Sequence, residues 1–216
     1  MKARRILYLT HYAELYGANR SLLDLLVAAK NAGAVVPFVV SAAEGPLCRE
    51  LERAGIAHAV VPFVPWMHKR VFSGGAHHRL LQRLRFRRQS RARDRVNHAL
   101  LPKLTELARK HDIQAVHSNS AVIGIGGPLA RNLGVPHIWH IRELPFLHYG
   151  FSVDGGISRY ARELRQAQAI IAISKAVVED MRTLAPATDR VHLVSDGVLS
   201  MAQWEQLGNA VARREE

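Results

Sequence analysis

Cysteine is nearly absent from this sequence, and long apolar runs are missing altogether. Cys48 is the single cysteine in 216 residues, so the chain forms no internal disulfide, and we expect a reducing, cytoplasmic location. The first apolar run ends at Thr10 and is shorter than the roughly 7–15 apolar residues of a secretory signal. No stretch approaches the roughly 18 apolar residues of a membrane span. We therefore expect a protein that is soluble or peripheral to a membrane.

Acidic residues are also few, since 18 Asp and Glu stand against 30 Lys and Arg, for a formal net charge of +12. The excess is concentrated in one segment. Between Lys69 and Arg95 there are ten basic residues and one acidic residue, Asp94, so this segment carries nine of the twelve net charges. A local concentration of this kind indicates a binding feature rather than general solubility.

Seven short apolar runs alternate with segments of helical periodicity. The predicted strands are residues 5–10, 35–41, 56–62, 113–117, 135–141, 169–173 and 191–195. The predicted helices are residues 20–32, 47–54 and about 97–110, a helix up to 132, and helices from about 158 and from Ser174. Such continuous Val, Ile and Leu runs are typical of strands buried on both faces. We predict an α/β fold, a doubly wound, mainly parallel, seven-stranded Rossmann-like sheet with helices on both faces.

Right-handed crossovers place the fourth predicted strand beside the first, and ligands of open α/β sheets bind outside the carboxyl ends of strands at such a switch point. Function is therefore expected in three loops, residues 10–20, 117–121 and 140–149.

Each of these loops has a functional interpretation and a structural one. Gly17, just before a helix, permits a phosphate to approach the positive helix end, although glycine is also common in tight turns. The polar run from Ser118 to Ser120 offers hydrogen bonds to a ligand, or caps the next helix. A single histidine at a strand end is usually structural, but His11, His117 and His140 all fall at strand ends, which favours a functional role for His140 in particular.

Two further patterns are interpreted structurally. Neither the pair His77 and His78 nor the pair His140 and Glu143 has a third ligand at metal-site spacing, so we expect no metal. The glycines at 124, 126 and 127 begin too far from a strand end for a dinucleotide motif, and close helix packing is the expected reason for them.

Five stretches together resemble the N-terminal domain of family 4 glycosyltransferases, which are GT-B enzymes with two facing Rossmann-like domains. They are residues 16–23 (YGANRSLL), 117–120 (HSNS), 139–143 (WHIRE), 169–177 (AIIAISKAV) and 191–198 (VHLVSDGV). The resemblance covers residues 2–198. It implies transfer of a sugar, of retaining and hexosyl type, from a nucleotide sugar to a glycan or lipid-linked acceptor, without a further cofactor.

The resemblance also assigns site residues. His140 would lie beside the transferred sugar as the catalytic residue, and Gly17 would line the donor. The other substrate-binding positions that it implies are Tyr16, Asn19, His117, Ser118, Asn119, Arg142 and Glu143. The sequence departs from the family at Tyr16, where glycine is frequent, and at Asp196 and Leu199.

A second domain that binds the donor is implied by the resemblance, and it carries a Glu-x7-Glu signature. The 18 residues after Val198 contain no such pattern. We expect residues 1–198 to be the acceptor-binding domain and 199–216 to be a helical tail. The donor-binding domain that would partner this one is then deleted, separately encoded or otherwise outside this sequence, and the chain alone is expected to be inactive.

The basic segment, part of an insertion at about residues 63–95, is predicted to bind an anionic membrane surface at the inner face of the membrane through Arg83, Arg87, Arg88 and Arg91. An apolar cluster precedes it and would supply anchors, namely Phe63, Val64, Trp66, Met67, Val71 and Phe72. A solvated arginine-rich loop is the alternative. A non-catalytic module that binds nucleic acid or another polyanion is the rival function.

Overall fold

The computed structural model describes residues 3–69, 74–185 and 189–197, and a seven-stranded sheet organises them. In chain order the elements are β1 (Arg4–Thr10), α1 (Gly17–Asn31), β2 (Val35–Ser41), α2 (Pro46–Arg53), β3 (Ala57–Val60), β4 (Met67–Lys69), α3 (Ala76–Lys110), β5 (Ala115–Ser118), α4 (Gly126–Leu133), β6 (His137–Ile141), β7 (Phe151–Val153), α5 (Ile157–Gln166), β8 (Ala169–Ala172), α6 (Lys175–Leu184) and β9 (Val191–Leu193). The predicted tail lies outside the described residues.

The strand order in the sheet is β3-β2-β1-β5-β6-β8-β9, and each neighbouring pair is parallel. The seven predicted strands and the Rossmann-like class are confirmed. The chain runs outward from β1 to β3 and then returns to place β5 on the other side of β1. The predicted switch point therefore lies between β1 and β5. The short strands β4 and β7 form a separate antiparallel pair, which the sequence analysis did not predict.

Both faces of the sheet are buried. Side chains alternate along a strand, so Leu7 and Leu9 of β1 enter one core cluster while Tyr8 enters another. The helices α1 and α2 pack on the face of Tyr8, because Leu22 of α1 and Leu51 of α2 belong to the same cluster. The remaining helices contribute buried side chains to the cluster that contains Leu7, namely Leu104, Leu129, Leu164 and Met181.

The helix α3 is much longer than predicted. It begins at Ala76 rather than near residue 97, because the basic segment contains strong helix formers and no proline or glycine until Pro102. Its buried residues near the C-terminus are Leu104, Thr105 and Ala108. The arginines of its first part are exposed, except for Arg93. No helix formed by the described residues is both long and apolar enough to span a bilayer.

Ion pairs fasten this projecting part to the domain. Arg93 donates two hydrogen bonds to the carboxylate of Asp154, at 2.6 and 2.8 Å, and Asp154 is fully buried. Arg159 contacts both carboxylate oxygens of Asp94 at 2.8 Å. Because a buried carboxylate requires such partners, these ion pairs hold α3 against the segment that runs from β7 into α5.

The apolar cluster that was expected to anchor a membrane belongs mostly to the core, so that prediction was wrong for Phe63, Trp66 and Met67. Phe63, Trp66 and Met67 are only 2–3% exposed. The Trp66 ring packs against Trp139 and Tyr160, and its indole N–H donates to the carbonyl of Ala121 at 2.9 Å. Val71 and Phe72 lie outside the described residues.

Local packing confirms the structural interpretation of the three clustered glycines. A Cβ atom on Gly126 would lie 2.0 Å from Ser118 Oγ, and one on Gly124 would lie 2.3 Å from the Trp66 ring. Ser174 caps α6, as predicted, by accepting a hydrogen bond from the backbone N–H of Val177.

We expect Gly126→Ala to lower the free energy of unfolding by about 2 kcal/mol, because Ser118 is held by its own buried hydrogen bond and cannot move aside cheaply. Gly17→Ala is the matched control, since its Cβ meets nothing within 4 Å, and a change within about 0.5 kcal/mol is expected. Urea denaturation measures both variants. Equal stability of the two would contradict the packing argument.

Candidate functional site

Polar side chains collect at the carboxyl ends of β1, β5 and β6, where the switch point opens. The loop after β1 leads to α1, the loop after β5 begins at Asn119, and the loop after β6 begins at Arg142. The segment that follows β9 reaches the same edge, because its Asp196 contacts both Ser21 and Arg142.

The guanidinium of Arg142 joins these segments, although only 5% of its side chain is exposed. Its Nε donates to Asn119 Oδ1 at 2.9 Å, and Nη1 donates to Ser21 Oγ at 3.2 Å and to Asp196 Oδ2 at 2.6 Å. Ser21 in turn donates to the other oxygen of Asp196 at 2.8 Å. One buried cation therefore holds the N-terminal part of α1, the β5 loop and the β9 segment together.

Asn19 shapes the first loop and is fully buried. Its side-chain amide donates to the carbonyls of Tyr12 and Glu14 at 3.0 and 2.8 Å, and its oxygen accepts from the hydroxyl of Thr10 at 2.7 Å. Both side-chain donors of Asn19 and its side-chain oxygen are therefore engaged near the loop. The residue thus acts by fixing the backbone that leads to Gly17.

The N-terminus of α1 is open to solvent. Tyr16 is the N-cap residue and its side chain makes no capping hydrogen bond; it is 69% exposed. Gly17 is exposed, lacks a positive φ angle, and has open space where a Cβ would lie. The fold of the described residues therefore does not require glycine here, whereas a ligand approaching the first-turn N–H groups would benefit from it.

The polar run after β5 does not cap α4, so that alternative was wrong. The helix α4 begins at Gly126 and its N-cap residue is Ile125. Ser118 is fully buried and pairs with His137 Nε2 at 3.0 Å, away from the loops. Asn119 instead spans two loops, because its amide donates to the carbonyl of Ala18 at 3.2 Å while its oxygen accepts from Arg142.

Glu143 holds the backbone of two loops together. Its carboxylate accepts hydrogen bonds from the hydroxyl of Ser120, from the backbone N–H of Ala121 at 2.9 Å and from that of Arg142 at 3.1 Å. Burial raises the pKa of Glu143, and these hydrogen bonds oppose that rise. The contacts of Glu143 within the chain are those of a positioning group.

Two neutral histidines lie beneath the edge. The rings of His117 and His140 are 5.5 Å apart, each residue is 4% exposed, and the Nε2 atom of each is buried without a hydrogen-bond partner among the described residues. Burial, reinforced by the Arg142 guanidinium, lowers the pKa of His140 to about 4. Burial also lowers the pKa of His117 well below its usual value, and that of His11 to about 4. At neutral pH these imidazoles are therefore uncharged.

The structure brings most of the predicted site residues to one edge and separates one of them. Asn119, His140, Arg142 and Glu143 interact directly or through one neighbour, whereas Ser118 faces His137. The arginines of the basic segment lie on α3. Sequence reasoning missed Thr10, Ser21 and Asp196 as site residues. Each lies at or just after the end of a strand or near the N-terminus of α1, and that position is the signal that would have found them.

No group of three or more His, Cys, Asp or Glu side chains within residues 3–69, 74–185 and 189–197 is arranged to hold a metal ion.

The buried histidines predict a pH-dependent stability. Unfolded histidine titrates near 6.5, while His137 and His140 have pKa values of about 3 and about 4 in the folded chain, so the unfolded state binds more protons below neutral pH. The contribution of these histidines to the free energy of unfolding is therefore fully present above pH 6.5. It falls toward pH 4, by up to about 1.4 kcal/mol per pH unit for each such histidine.

Urea denaturation at about pH 5 and about pH 7 checks this expectation. His140→Gln is expected to make the stability less dependent on pH than it is in the wild type. His98→Gln changes an exposed histidine on α3 and serves as the control. An unchanged slope in His140→Gln would contradict the argument.

Comparison with known proteins places this geometry in a family. The model of the family described as Glycosyltransferase Family 4 matches residues 16–198. No curated protein matches the sequence. Among solved structures, HepE of Anabaena in complex with UDP and glucose aligns with a TM-score of 0.58 and 16% identity, covering 95% of this chain and 50% of that protein.

Two further structures give the same result. A glycosyltransferase from Rickettsia africae aligns with a TM-score of 0.60 and 14% identity, covering 98% of this chain and 50% of that one. MurG from Acinetobacter baumannii aligns with a TM-score of 0.52 and 14% identity, covering 88% and 45%. The chain thus spans about half the length of the solved structures it matches.

At these identities the structural likeness shows the fold, which is one Rossmann-like half of the GT-B arrangement. The family match shows more than the fold, because it covers residues 16–198, which include the carboxyl edge and the segment after β9. This chain therefore belongs to glycosyltransferase family 4.

Proposed function

We propose that this chain is the acceptor-side half of a two-domain glycosyltransferase that transfers a sugar, with retention, from a nucleotide sugar to a glycan or lipid-linked acceptor. The donor-binding half would be a separate domain that closes over the carboxyl edge of the sheet. The likeness to HepE, crystallised with UDP and glucose, supports a nucleotide sugar as the donor.

One observation carries this proposal: the polar network around Arg142 lies at the carboxyl edge of the switch point, where a ligand binds in open α/β sheets. Its hydrogen bonds are formed within the chain before any substrate arrives. A site organised in this way loses little entropy when a second domain and its substrate dock on it.

The proposed roles follow from accessibility. Gly17 and the exposed N-terminus of α1 would face the phosphates of the donor, because helix N-termini attract anions. Neutral His140 would contact the transferred sugar through Nε2, which has no partner among the described residues. Since His140 is only 4% exposed, this contact requires a shift of the groups above it. Asn119 and Arg142 would position the acceptor side of the cleft, with Asn19, His117, Ser118 and Glu143 supporting them.

A titration followed by amide NMR tests the proposal. On adding UDP-glucose and simple glycosides separately to the labelled chain, we expect shifts within residues 11–21, 117–121, 140–149 and 194–197. Residues 30–34 and 111–114, at the opposite edge, are the internal control. Gly17→Ala is expected to weaken the response to UDP-glucose about threefold or more while leaving stability unchanged, because its Cβ would occupy the approach to α1.

Shifts at the opposite edge alone, or none with any of these ligands, would contradict the proposal. We expect the chain by itself to show no turnover of nucleotide sugars, since the groups that stabilise the leaving nucleotide would lie on the donor-binding half. Turnover well above background would show that the active site is complete in this chain.

A second proposal concerns an anionic membrane surface at the cytoplasmic face, where a lipid-linked acceptor would be met. The support is the outward row of exposed arginines on α3, which includes Arg79, Arg87, Arg88 and Arg91. Each basic group near an acidic leaflet contributes on the order of 1 kcal/mol. Because Phe63, Trp66 and Met67 are buried in the core, attachment would rest mainly on charge and would weaken with salt.

Vesicle sedimentation tests this proposal. We expect binding to vesicles that contain phosphatidylserine, no binding to phosphatidylcholine vesicles, and about a tenfold loss or more when Arg83, Arg87, Arg88 and Arg91 are changed to Gln. The matched control changes Lys103, Arg109, Lys110 and Arg165 to Gln, which removes the same charge from exposed positions elsewhere. An equal loss in both variants, or indifference to vesicle charge, would remove the proposal.

A further inference from the structure

A groove runs between the first part of α3 and the segment that contains β7 and the start of α5. Its volume is about 770 Å³, within the range of small-molecule sites. One wall is a single face of α3, because the lining residues of that helix recur every three or four positions, among them Phe86, Arg87 and Arg91. The other wall includes Phe146, Phe151 and Ile157.

Two of the positive charges on the α3 wall, those of Arg87 and Arg91, have no counter-charge among the described residues. Neither Arg87 nor Arg91 forms an ion pair or hydrogen bond with any residue in the described ranges. Both are exposed and one helical turn apart, so their like charges repel each other. The acidic residue of the groove, Asp94, is engaged by Arg159 at 2.8 Å. A bound anion would offset this repulsion.

The opposite wall is apolar. Phe146 packs on Tyr160 at 5.6 Å and Phe151 packs on Tyr149 at 5.2 Å, so these rings are held in place by their neighbours. Ile157 is 48% exposed. Partly exposed aromatic and aliphatic side chains beside a row of arginines suit a ligand with an anionic head and an apolar chain.

We propose that this groove binds a phosphate-bearing amphiphile, with the phosphate on Arg87 and Arg91 and the apolar chain along Phe146, Phe151 and Ile157. Phosphate is favoured over a carboxylate, because successive guanidinium groups one turn apart can share an ion that carries more than one negative charge and several acceptor oxygens. The rigid anchoring of α3 through Arg93 and Asp154 keeps the two walls at a fixed separation.

The groove is continuous in sequence with the candidate site. The chain passes from Arg142 and Glu143 at the carboxyl edge through Phe146 to β7, so both features are built from one segment. The amphiphile would then carry the acceptor and hold it beside the edge where transfer would occur. This role rests on the proposed function.

Calorimetric titration of the full chain with octyl phosphate below its micelle concentration tests the inference. We expect octyl phosphate to bind about tenfold more tightly than inorganic phosphate, because the apolar chain is buried. It is also expected to bind more tightly than nonanoate. Arg87→Gln and Arg91→Gln should each weaken binding about fivefold or more, because each removes a charged hydrogen bond. Ile157→Ser should weaken octyl phosphate and leave inorganic phosphate unchanged.

Matched controls separate a built site from diffuse attraction. Arg85→Gln removes an exposed arginine of the same helix that does not line the groove, and Leu80→Ser removes an exposed apolar side chain outside it. Neither is expected to change octyl phosphate binding. Far-ultraviolet circular dichroism confirms that each variant is folded.

Several outcomes would overturn the inference. They are equal affinity for octyl phosphate and inorganic phosphate, equal affinity for octyl phosphate and nonanoate, or an equal effect of Arg85→Gln and Arg87→Gln. Tighter binding of a duplex oligonucleotide, weakened equally by all three arginine changes, would favour a polyanion surface instead. Because the titration involves no sugar, its failure is distinct from failure of the NMR test at the carboxyl edge.

Discussion

The buried guanidinium of Arg142 is the constraint on which the candidate site depends. A buried cation is costly unless its donors are paired, and here the partners come from three other parts of the chain, at Asn119, Ser21 and Asp196. Asn119 is itself fixed by its backbone bond to Leu9 and its side-chain bond to Ala18. One side chain thus connects α1 with the segments that follow β5, β6 and β9. The edge is organised by these bonds, and Gly17 and the start of α1 remain open to a ligand beside it.

A second buried ion pair serves the basic insertion in the same way. Asp154 is fully buried and accepts both hydrogen bonds of Arg93, which fixes α3 against the β7 segment. Arg93 faces the domain in this way, whereas the other arginines in the first part of α3 are exposed to solvent. The insertion therefore adds positive charge and a groove to a domain whose sheet and core are those of an ordinary Rossmann-like half. The segment that follows β6 contributes to both the carboxyl edge and the groove. The proposed sugar transfer and the proposed amphiphile binding would therefore take place on neighbouring parts of the domain.

The parts that sequence reasoning predicted are those set by local pattern. The seven strands are continuous apolar runs, Ser174 is a good N-cap residue, and the glycines at 124, 126 and 127 occur too late for a nucleotide motif. The parts it missed depend on distant partners. In the sequence Phe63 and Trp66 resemble membrane anchors, but in the fold both are buried in the core, where Trp66 packs against Trp139 and Tyr160. Ser21 and Asp196 lie 175 residues apart, and nothing local indicates that they share a hydrogen bond. The composition of residues 76–96 favours a helix, but the high density of charged residues hid that preference.

A double-mutant cycle on Arg142 and Asp196 tests the central claim most directly. The free energy of unfolding is measured by urea denaturation for the wild type, Arg142→Gln, Asp196→Asn and the double variant. Since the side chains are 5% and 32% exposed, the account predicts a coupling energy on the order of 1 kcal/mol, with the double variant less destabilised than the sum of the single ones. Additive effects, within about 0.3 kcal/mol, would show that the Arg142 guanidinium does not hold the β9 segment to the carboxyl edge.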